Sequence, residues 1–473
     1  MDITNTRLSE GILEAELDRL RSLWPTLGEI DLDEVAHYHR TVVKDRTFAH
    51  RYRQARAEND VLLQPRFGVA TLEAQLEGMR YLEEHGQPDL LTMSSDTYSR
   101  REDFAHAAEA VSMSKSQGRS LLNGFPAVVH GIAGTQQVTE SVRVPVGGRG
   151  ASGSPQAYNL MMLAGGATEF NGSALAFVMN VEAKMSVPVA IRNTQFVDRF
   201  LGVLTEHGAT PAKESSTIVS GTLVPPAIAV VCGVVEVLLA AEQGVKYHCV
   251  AYPVNSTLVQ DVAACRVMRE FTQKYAAAAG YADLEIAYAI HQWLGPFPED
   301  KSRALARIAI DSLVAVLAGV DKILVKSSEE GQGTPTNAGN VEGLRATRQA
   351  VDIARGQFLP PSVELDEEME LIRKESRAIL DAIFELGHGD VAVGVARAIE
   401  AGVYEFPYSV NRWNRGAMLV CRDGSGAVRY LDAGQLPFDE SIRGWHRARL
   451  ERRLQTVQDA YELVIQDISA SVR

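Results

Sequence analysis

The feature that most constrains the fold is an alternation of short β-prone runs with longer helical stretches, which continues from about residue 60 to residue 330. Neighbouring β-prone runs mostly lie about 20 to 40 residues apart, a spacing typical of βα units. This texture predicts an α/β fold with a parallel sheet. The candidate strands are VLLQPR (61–66), LLTMSSD (90–96), SLLNGF (120–125), VRVPVG (142–147), ATEFN (167–171), STIVSGTLV (216–224), YHCVAYPV (247–254), LEIAYAI (284–290) and KILVK (322–326).

Eight βα units close a barrel, so we predict a (β/α)8 barrel of the TIM type. One of the nine candidate strands is then wrong or lies outside the barrel. The predicted domains are an N-terminal helical segment (1–57), the barrel (58–340) and a mainly helical C-terminal region (341–473). In the last region we expect helices at 341–355, 363–386, 391–401 and 439–470, and a β-hairpin at 421–434 that turns at Asp423–Gly424.

Charge and cysteine content exclude several classes of protein. The 473-residue chain has a formal net charge of −13, which argues against nucleic acid or an anionic membrane as a partner. Its acidic N-terminus does not resemble a signal peptide, and its longest apolar run (225–241) contains Glu236, which favours a buried helix over a membrane span. We expect a cytoplasmic protein with reduced thiols, because the cysteines lack metal-ligand spacing. They are Cys232, Cys249, Cys265 and Cys421.

Polar residues or glycine follow many of the candidate strands at their carboxyl ends. In a (β/α)8 barrel, this edge of the sheet holds the active site. A solvated loop explains any single case, and an open sheet would also bind ligands at this edge. Six such ends together favour a site. They are Arg66, Asp96, Asn123, Gly147, Asn171 and Lys326.

Three arginines stand out among these residues. Arg66, Arg100 and Arg149 each follow a candidate strand, and Arg149 lies in the glycine-rich segment GGRGASG. Guanidinium groups bind carboxylates through paired hydrogen bonds, so three at one barrel mouth predict a small dianionic substrate. Taken singly, each arginine is better explained as a surface residue. No HExxH, GxSxG or Walker motif is present, and His37 and His39 are spaced poorly for a shared metal ion.

Long blocks of this sequence resemble the epsilon (large) subunit of glutamate mutase, also called methylaspartate mutase. The resemblance implies a (β/α)8 barrel covered by a small cobalamin-binding subunit, and adenosylcobalamin shared between the two chains. The cobalt ligand is expected on that partner, because its DxHxxG motif is absent from this chain. A homodimer of large subunits within a heterotetramer is also implied. The matching blocks are LLQPRFG, GRSLLNGFP, SGTLVPP, LLAAEQGVK, HQWLGPFP, KSSEEGQGTPTNAG and VRYLDAGQLPF.

The resemblance also implies a reaction and roles for individual residues. The reaction is a radical rearrangement of a carbon skeleton, in which the protein holds the substrate in a sealed cavity. Arg66, Arg100 and Arg149, with Gly150, fall on positions that bind the two substrate carboxylates. The positions implied to contact the cofactor are Gly68, Asn123, Asn180, Phe297, Lys326, Glu330 and Thr334.

The chain departs from the family at the other end of the substrate. A family glutamate and two tyrosines that contact the substrate amine are replaced here by Asn171, Phe177 and Val181, and Asn180 replaces a proline. The segment NGSALAFVMNVEAKM (171–185) is therefore more apolar than a glutamate site should be. A substrate with a less polar far end is expected.

Glu169 is the candidate replacement for the missing family glutamate. Residues i and i+2 of a strand share a face, so Glu169 points into the barrel if Asn171 does. We therefore predict Glu169 as a candidate base. The alternative is a short strand that places Glu169 outside the barrel.

Several functional interpretations stay open at this point. The chain is a mutase for a carboxylate other than glutamate, a true glutamate mutase interconverting L-glutamate and threo-3-methylaspartate, or a non-catalytic binding or regulatory subunit. A barrel aldolase that uses Lys326 as a Schiff base needs a desolvated lysine. The neighbouring Glu329 and Glu330 are expected to keep Lys326 charged instead.

Overall fold

A computed structural model describes residues 3–219 and 223–470 and contains an eight-stranded parallel sheet. The strand order is β1-β8-β7-β6-β5-β4-β3-β2, so consecutive strands are neighbours around a nearly closed barrel. The predicted TIM-type α/β fold is confirmed. The strands are β1 Leu62–Pro65, β2 Leu91–Ser94, β3 Val146–Arg149, β4 Glu169–Asn171, β5 Ala212–Ser216, β6 Tyr247–Pro253, β7 Glu285–His291 and β8 Lys322–Val325.

The seam between β1 and β2 is closed by hydrogen bonds that flank the short strands. The Leu90 N–H donates to the Leu63 carbonyl at 3.2 Å, and the Ser94 N–H donates to the Phe67 carbonyl at 2.8 Å. The other seven seams are parallel ladders. The carboxyl ends of all eight strands therefore surround one mouth.

Helices surround the barrel and form most of the chain after it. Many begin at a capping side chain, as in the helix after Asp300, whose carboxylate accepts from the Arg303 N–H. The helices are α1 Glu10–Arg21, α2 Leu32–Tyr38, α3 Phe48–Glu58, α4 Leu72–Tyr81, α5 Phe104–Gln117, α6 Ala127–Glu140, α7 Gln156–Ala164, α8 Ala174–Val181, α9 Val187–Glu206, α10 Pro226–Glu242, α11 Leu258–Ala278, α12 Lys301–Ala318, α13 Asn337–Ala354, α14 Val363–Leu386, α15 Val391–Ala401, α16 Glu440–Leu454 and α17 Ala460–Ala470.

Helix α10 is the apolar run noted in the sequence. Sixteen of its residues, from Pro226 to Ala241, are buried, and most of the apolar ones belong to the largest hydrophobic core. Its one acidic residue within that stretch is held through one oxygen, because Glu236 Oε1 accepts from the Ser173 hydroxyl at 2.7 Å and from the Leu175 N–H at 2.9 Å. Glu236 Oε2 lies 3.7 Å from Lys213 Nζ. Within residues 3–219 and 223–470, no helix combines the length and apolarity needed to cross a membrane.

The candidate strand at 120–125 was the wrong one among the nine. This segment is an irregular loop that packs across the end of β2, where the Phe125 N–H donates to the Ser94 carbonyl at 2.7 Å. A Cβ atom at Gly124 would lie 2.3 Å from the Ser95 carbonyl carbon, so the loop approaches the backbone closely. Its leucines resemble a strand in sequence, but one of them packs in a small apolar cluster beside α5.

Two other candidate strands were misplaced. The structure places β5 at Ala212–Ser216, so the strand predicted at 216–224 overlaps it by one residue only. Residues 220–222 of that prediction lie outside the described residues. The segment AKESS is polar, yet all five residues are buried, so polarity concealed this strand. The strand predicted at 142–147 is shifted to β3, which makes Arg149 its last residue.

The C-terminal region packs on the barrel and differs from prediction at its end. Strands β9 Leu419–Arg422 and β10 Val428–Asp432 form an antiparallel hairpin. The helix predicted at 439–470 is two helices, α16 and α17, and Asp459 begins the second by accepting from the Tyr461 N–H at 3.0 Å. The division into domains at 1–57, 58–340 and 341–473 stays a prediction.

Candidate active site

Two adjoining cavities lie at the mouth of the barrel. The first has a volume of about 200 Å³, and the second has a volume of about 360 Å³. Arg66 lines both cavities, so its guanidinium stands between them. Side chains that line the first cavity include Arg66, Arg100, Arg149, Asn171, Phe177, Val181, Ser216 and His291.

The three arginines predicted from the sequence meet at the first cavity. Arg66 directly follows β1, and Arg149 ends β3 opposite Ser94 of β2. Arg100 comes from a short 3-10 helix after β2, where its Nε donates to the Ser95 hydroxyl at 2.8 Å and its Nη2 to the Ser95 carbonyl at 3.0 Å. These contacts fix Arg100 while leaving Nη1 without a hydrogen bond to the described residues.

Arg149 is anchored by a buried ionic network beneath the cavity. Its Nη1 donates to Glu214 Oε1 at 2.9 Å, and Asn171 Nδ2 donates to the same oxygen at 2.7 Å. Lys322 Nζ donates to Glu214 Oε2 at 2.7 Å and to Glu169 Oε2 at 2.8 Å. All five side chains belong to residues that are at least nine-tenths buried. We call Arg149, Glu214, Lys322 and Glu169 the buried ionic network.

Burial and neighbouring charges shift the pKa values of this network in opposite directions. Burial would raise the pKa of Glu214, but Arg149 and Lys322 hold it well below its ordinary value. Burial raises the pKa of Glu169, although Lys322 opposes the shift. Burial lowers the pKa of Lys322, but Glu169 and Glu214 outweigh it and raise that pKa overall. Glu214 and Lys322 are therefore charged at neutral pH.

Glu169 points into the barrel, which is the alternative that a role as candidate base requires. It lies one layer below Asn171, and its Oε1 accepts from the Tyr52 hydroxyl at 2.5 Å. Its carboxylate is fully engaged by Tyr52 and Lys322, and Glu169 is not among the residues that line either cavity.

The other wall of the first cavity is apolar, with a polar amide at its base. Phe177 and Val181 lie on α8, and Val181 is 58% exposed at the rim. Asn171 faces the cavity from the end of β4, with Nδ2 directed to Glu214 and, at 3.3 Å, to the Ser216 hydroxyl. Gly150 follows Arg149 beside this wall, and a Cβ there would lie 2.3 Å from the Tyr158 ring.

The second cavity brings together several residues that the family resemblance implies for the cofactor. Gly68, Asn123, Glu330 and Thr334 line it. A Cβ at Gly68 would lie 2.6 Å from the Ser94 carbonyl oxygen, so glycine is required for this close approach. The Ser94 hydroxyl is buried beside the cavity without a hydrogen-bond partner among the described residues.

Lys326, Phe297 and Asn180 lie near the cavities without lining them. Lys326 Nζ donates to Glu330 Oε2 at 2.9 Å and lies 5.8 Å from the centre of the Phe297 ring. Burial lowers the pKa of Lys326, and Glu330 opposes the shift. Asn180 Oδ1 accepts from the Val219 N–H at 3.4 Å. Glu329 was expected to influence Lys326 too, but it is hydrogen-bonded to Thr336.

Sequence reasoning missed Glu214, Lys322 and His291. Glu214 belongs to the polar strand β5, and Lys322 is the first residue of the otherwise apolar strand β8. The inward alternation from Asn171 to Glu169 is the signal that pointed toward such buried charges. His291 ends β7, and its Nε2 lies 3.4 Å from Glu214 Oε1 and 3.5 Å from the Ser216 hydroxyl. Burial lowers the pKa of His291 to about 4, so the imidazole is neutral at neutral pH. Extending the β7 prediction by one residue would have found it.

Comparisons with known sequences give one consistent result. The sequence model of a family described as Methylaspartate mutase E chain (MutE) matches residues 42–472. The chain is 37% identical to the glutamate mutase epsilon subunit of Desulfitobacterium hafniense (strain Y51), over 99% of this chain and 98% of the relative. It is 36% identical to that of Treponema denticola, over 95% and 93% of the two chains. It is also 36% identical to that of Escherichia coli O157:H7, over 99% and 98%.

Proposed function

The chain belongs to the methylaspartate mutase E chain family, which makes it an isomerase, and from this premise we propose that it is the catalytic large subunit of an adenosylcobalamin-dependent carbon-skeleton mutase. Its substrate is a small carboxylate related to an amino acid, and that substrate need not be glutamate. The observation that carries the proposal is the meeting of Arg66, Arg100 and Arg149 at a small cavity, directly beside a second, larger cavity.

The three arginines bind the substrate carboxylates in this proposal. Two of them are held in place, Arg100 by Ser95 and Arg149 by Glu214, so little side-chain freedom is lost when they bind a ligand. Arg66 has no hydrogen bond or ion pair to a described residue, which leaves its whole guanidinium for the ligand. Fixed substrate geometry in a closed cavity is the protein's main contribution to a radical rearrangement.

The second cavity fits the nucleoside part of adenosylcobalamin. Glu330, paired with Lys326, provides an acceptor and a neighbouring donor that suit ribose hydroxyl groups. Gly68 and Asn123 would face the corrin, with Asn180 near it, and Phe297 and Thr334 would contact other parts of the cofactor. When bound, adenosylcobalamin supplies the radical that starts the rearrangement. This chain orients the substrate beside it and excludes water.

Glu169 stays our proposed base, although the buried ionic network holds it below the cavity. Burial raises its pKa, which suits a group that takes up a proton. Its contacts with Lys322 and Tyr52 equally suit a purely structural role. The rate of product formation per folded Glu169→Gln molecule distinguishes the two roles. A lost rate indicates the base, and an unchanged rate indicates a structural role.

Specific observations count against each of the other interpretations. A true glutamate mutase would have to bind the substrate ammonium with Asn171, Phe177 and Val181, which offer one neutral acceptor. A non-catalytic subunit would not require the paired Lys326 and Glu330 beside the arginines. An aldolase would require a neutral Lys326, and the ion pair with Glu330 at 2.9 Å favours the protonated lysine.

The proposal includes a partner and a location. The cobalt ligand comes from a small cobalamin-binding subunit with a DxHxxG motif, which covers the barrel mouth. Two large subunits form a homodimer within a heterotetramer, and the assembly is cytoplasmic. Neither nucleic acid nor a membrane is a partner.

Cobalamin binding tests the two-component proposal. We expect this chain alone to bind little adenosylcobalamin, and to bind it in proportion to an added DxHxxG subunit, as measured by gel filtration with absorbance detection. The Asp or His of the partner's DxHxxG motif, replaced by alanine, provides the matched control and should abolish uptake. Stoichiometric binding by this chain alone would contradict the proposal.

A further inference from the structure

We infer that the preferred substrate is a dicarboxylate dianion whose remaining substituent is uncharged, so that it carries no ammonium group. This inference rests on the proposed function, because it assigns a substrate class to the same cavity. It follows from the balance of charge around the first cavity and from the orientation of one amide.

The buried ionic network balances its own charge. Arg149 and Lys322 contribute two cations, and Glu214 and Glu169 contribute two carboxylates, joined by contacts of 2.7 to 2.9 Å. Both oxygens of Glu214 already accept hydrogen bonds, so its carboxylate is not available to a ligand. The network therefore holds Arg149 in place without leaving a free negative charge at the cavity.

Arg66 and Arg100 are the cations left without a partner. Neither has an ion pair with any described residue, although both line the cavity. Asp96 influences Arg100 electrostatically, but its oxygens accept from the Tyr98 and Ser99 N–H groups and from the Ser99 hydroxyl. Asp96 is buried and does not line the cavity. Two unpaired guanidiniums facing one cavity match two ligand carboxylates.

The remaining ionisable groups near the arginines add no free negative charge. Lys326 and Glu330 form an ion pair of 2.9 Å, and Glu330 also acts electrostatically on Arg66, so one carboxylate faces two cations. His291 is neutral at neutral pH, because burial lowers its pKa to about 4. Among the described residues that line the first cavity, none is acidic. A ligand ammonium would meet guanidiniums on one side and no carboxylate on the other.

The orientation of Asn171 determines what the far end of the cavity offers. Its Nδ2 is occupied by Glu214 and Ser216, so its carbonyl oxygen is the atom without a hydrogen bond to a described residue. A neutral carbonyl accepts a hydrogen bond from a hydroxyl group but does not compensate a full positive charge. Phe177 and Val181 complete this end with apolar surface. A hydroxyl or an apolar substituent suits the site better than an ammonium.

A matched pair of ligands tests the inference on the unmodified protein. L-2-Hydroxyglutarate and L-glutamate have the same skeleton and differ in a hydroxyl and an ammonium group. We expect the full chain, in complex with its cobalamin-binding subunit, to bind L-2-hydroxyglutarate at least about tenfold more tightly by calorimetry, a ratio that corresponds to ~1.4 kcal/mol. Glutarate, which lacks the substituent, should also bind more tightly than L-glutamate. Equal or tighter binding of L-glutamate, or no binding of either dianion, would overturn the inference.

A charge substitution provides the converse test. Asn171→Glu places a carboxylate beside the cavity and should shift the ratio of affinities toward L-glutamate by about tenfold or more. Gln357→Glu adds the same charge at an exposed position and should leave the ratio unchanged. A folded Asn171→Glu variant with the wild-type ratio would contradict the inference. If Asn171→Glu does not fold, the affinities of the two ligands for the wild type still test the inference.

Failure of this inference and failure of the proposed mutase function give different experimental results. Preference for the dianion without cobalamin-dependent turnover of any dicarboxylate would refute the proposed mutase function and leave the inference standing. Efficient rearrangement of L-glutamate would refute the inference and leave the mutase function standing.

Discussion

Arg66 is the residue on which the site depends most. It is exposed within the cavity, yet the surrounding protein and the positive charges of Arg149 and Arg100 lower its pKa to about 10. It stays protonated at neutral pH while repelled by its neighbours. Binding an anion relieves this repulsion, so the free site favours carboxylates before any specific contact forms.

Arg66→Lys tests this role. Lysine keeps the charge but loses the planar pair of donors. One charge-assisted hydrogen bond contributes about 1.5–3 kcal/mol, so we expect dicarboxylate affinity to fall by roughly ten- to a hundredfold or somewhat more in calorimetry. The free energy of unfolding should change little, because Arg66 has no ion pair among the described residues.

The matched control is Arg53→Lys, at a surface arginine that is 49% exposed and paired with Glu285. It should leave ligand affinity unchanged. Wild-type affinity in Arg66→Lys would show that Arg66 is only a surface residue of the barrel mouth.

At the residue scale, sequence reasoning located the cations but not what holds them. Arg66, Arg100 and Arg149 follow strands, and a guanidinium at a strand end is visible in the sequence. Glu214 and Lys322 were missed, because a buried lysine or glutamate is stable only with a partner from another strand. That partnership depends on barrel closure, since Lys322 of β8 contacts Glu169 of β4 across the interior. No local pattern carries this information.

At the element scale, the loop after β7 shows how a buried carboxylate fixes a segment near the site. Asp311 of α12 is fully buried, and it accepts from the Trp293 N–H at 2.9 Å and from the Ser256 hydroxyl at 2.8 Å. Burial raises the pKa of Asp311 to about 7 from an ordinary value of 3.8, although both donors oppose the shift. The same loop carries Phe297, one of the predicted cofactor contacts.

Asp311→Asn should change how stability depends on pH. A raised pKa in the folded state means that folded Asp311 keeps a proton that the unfolded chain loses between about pH 4 and pH 7. The free energy of unfolding of the wild type should therefore fall through this range. Relative to wild type, Asp311→Asn should gain roughly 2–3 kcal/mol between pH 5 and pH 8, measured by urea unfolding.

Ser256→Ala is the control for this measurement, because it removes one hydrogen bond and keeps the carboxylate. The fall of its stability with rising pH should persist and extend to higher pH, because the Ser256 hydroxyl opposes the raised pKa of Asp311. Parallel curves for Asp311→Asn and wild type would contradict a raised pKa at Asp311.

Strand prediction succeeded for the apolar elements and failed for the polar ones. β6, β7 and β8 lie close to their predicted positions, because their residues are apolar and β-prone. β5 was displaced, because the interior of this barrel is partly polar and AKESS resembles a surface segment. The leucines of 120–125 were mistaken for a strand, since a short apolar run in a packed loop has the same composition.

At the scale of the whole molecule, the alternation of βα units predicted a parallel sheet, and the family resemblance implied its arrangement as a (β/α)8 barrel. The family resemblance inferred from the motifs is confirmed. Asn411 Nδ2 donates to the carbonyls of Val178, Glu182 and Met185, which ties the C-terminal region to the segment that carries Phe177 and Val181. Such a contact between distant segments has no signature in the sequence.

The most direct test of the central claim is turnover by the assembled enzyme. Both subunits, adenosylcobalamin and a ¹³C-labelled dicarboxylate are mixed, and ¹³C NMR detects a rearranged carbon skeleton while electron paramagnetic resonance detects unpaired electrons. We predict a skeletal isomer of a dicarboxylate without an ammonium group, formed only when both subunits and the cofactor are present, and poor conversion of L-glutamate. No skeletal isomer from any dicarboxylate tested, by a complex shown to hold the cofactor, would contradict the claim that this chain is the catalytic subunit of a mutase.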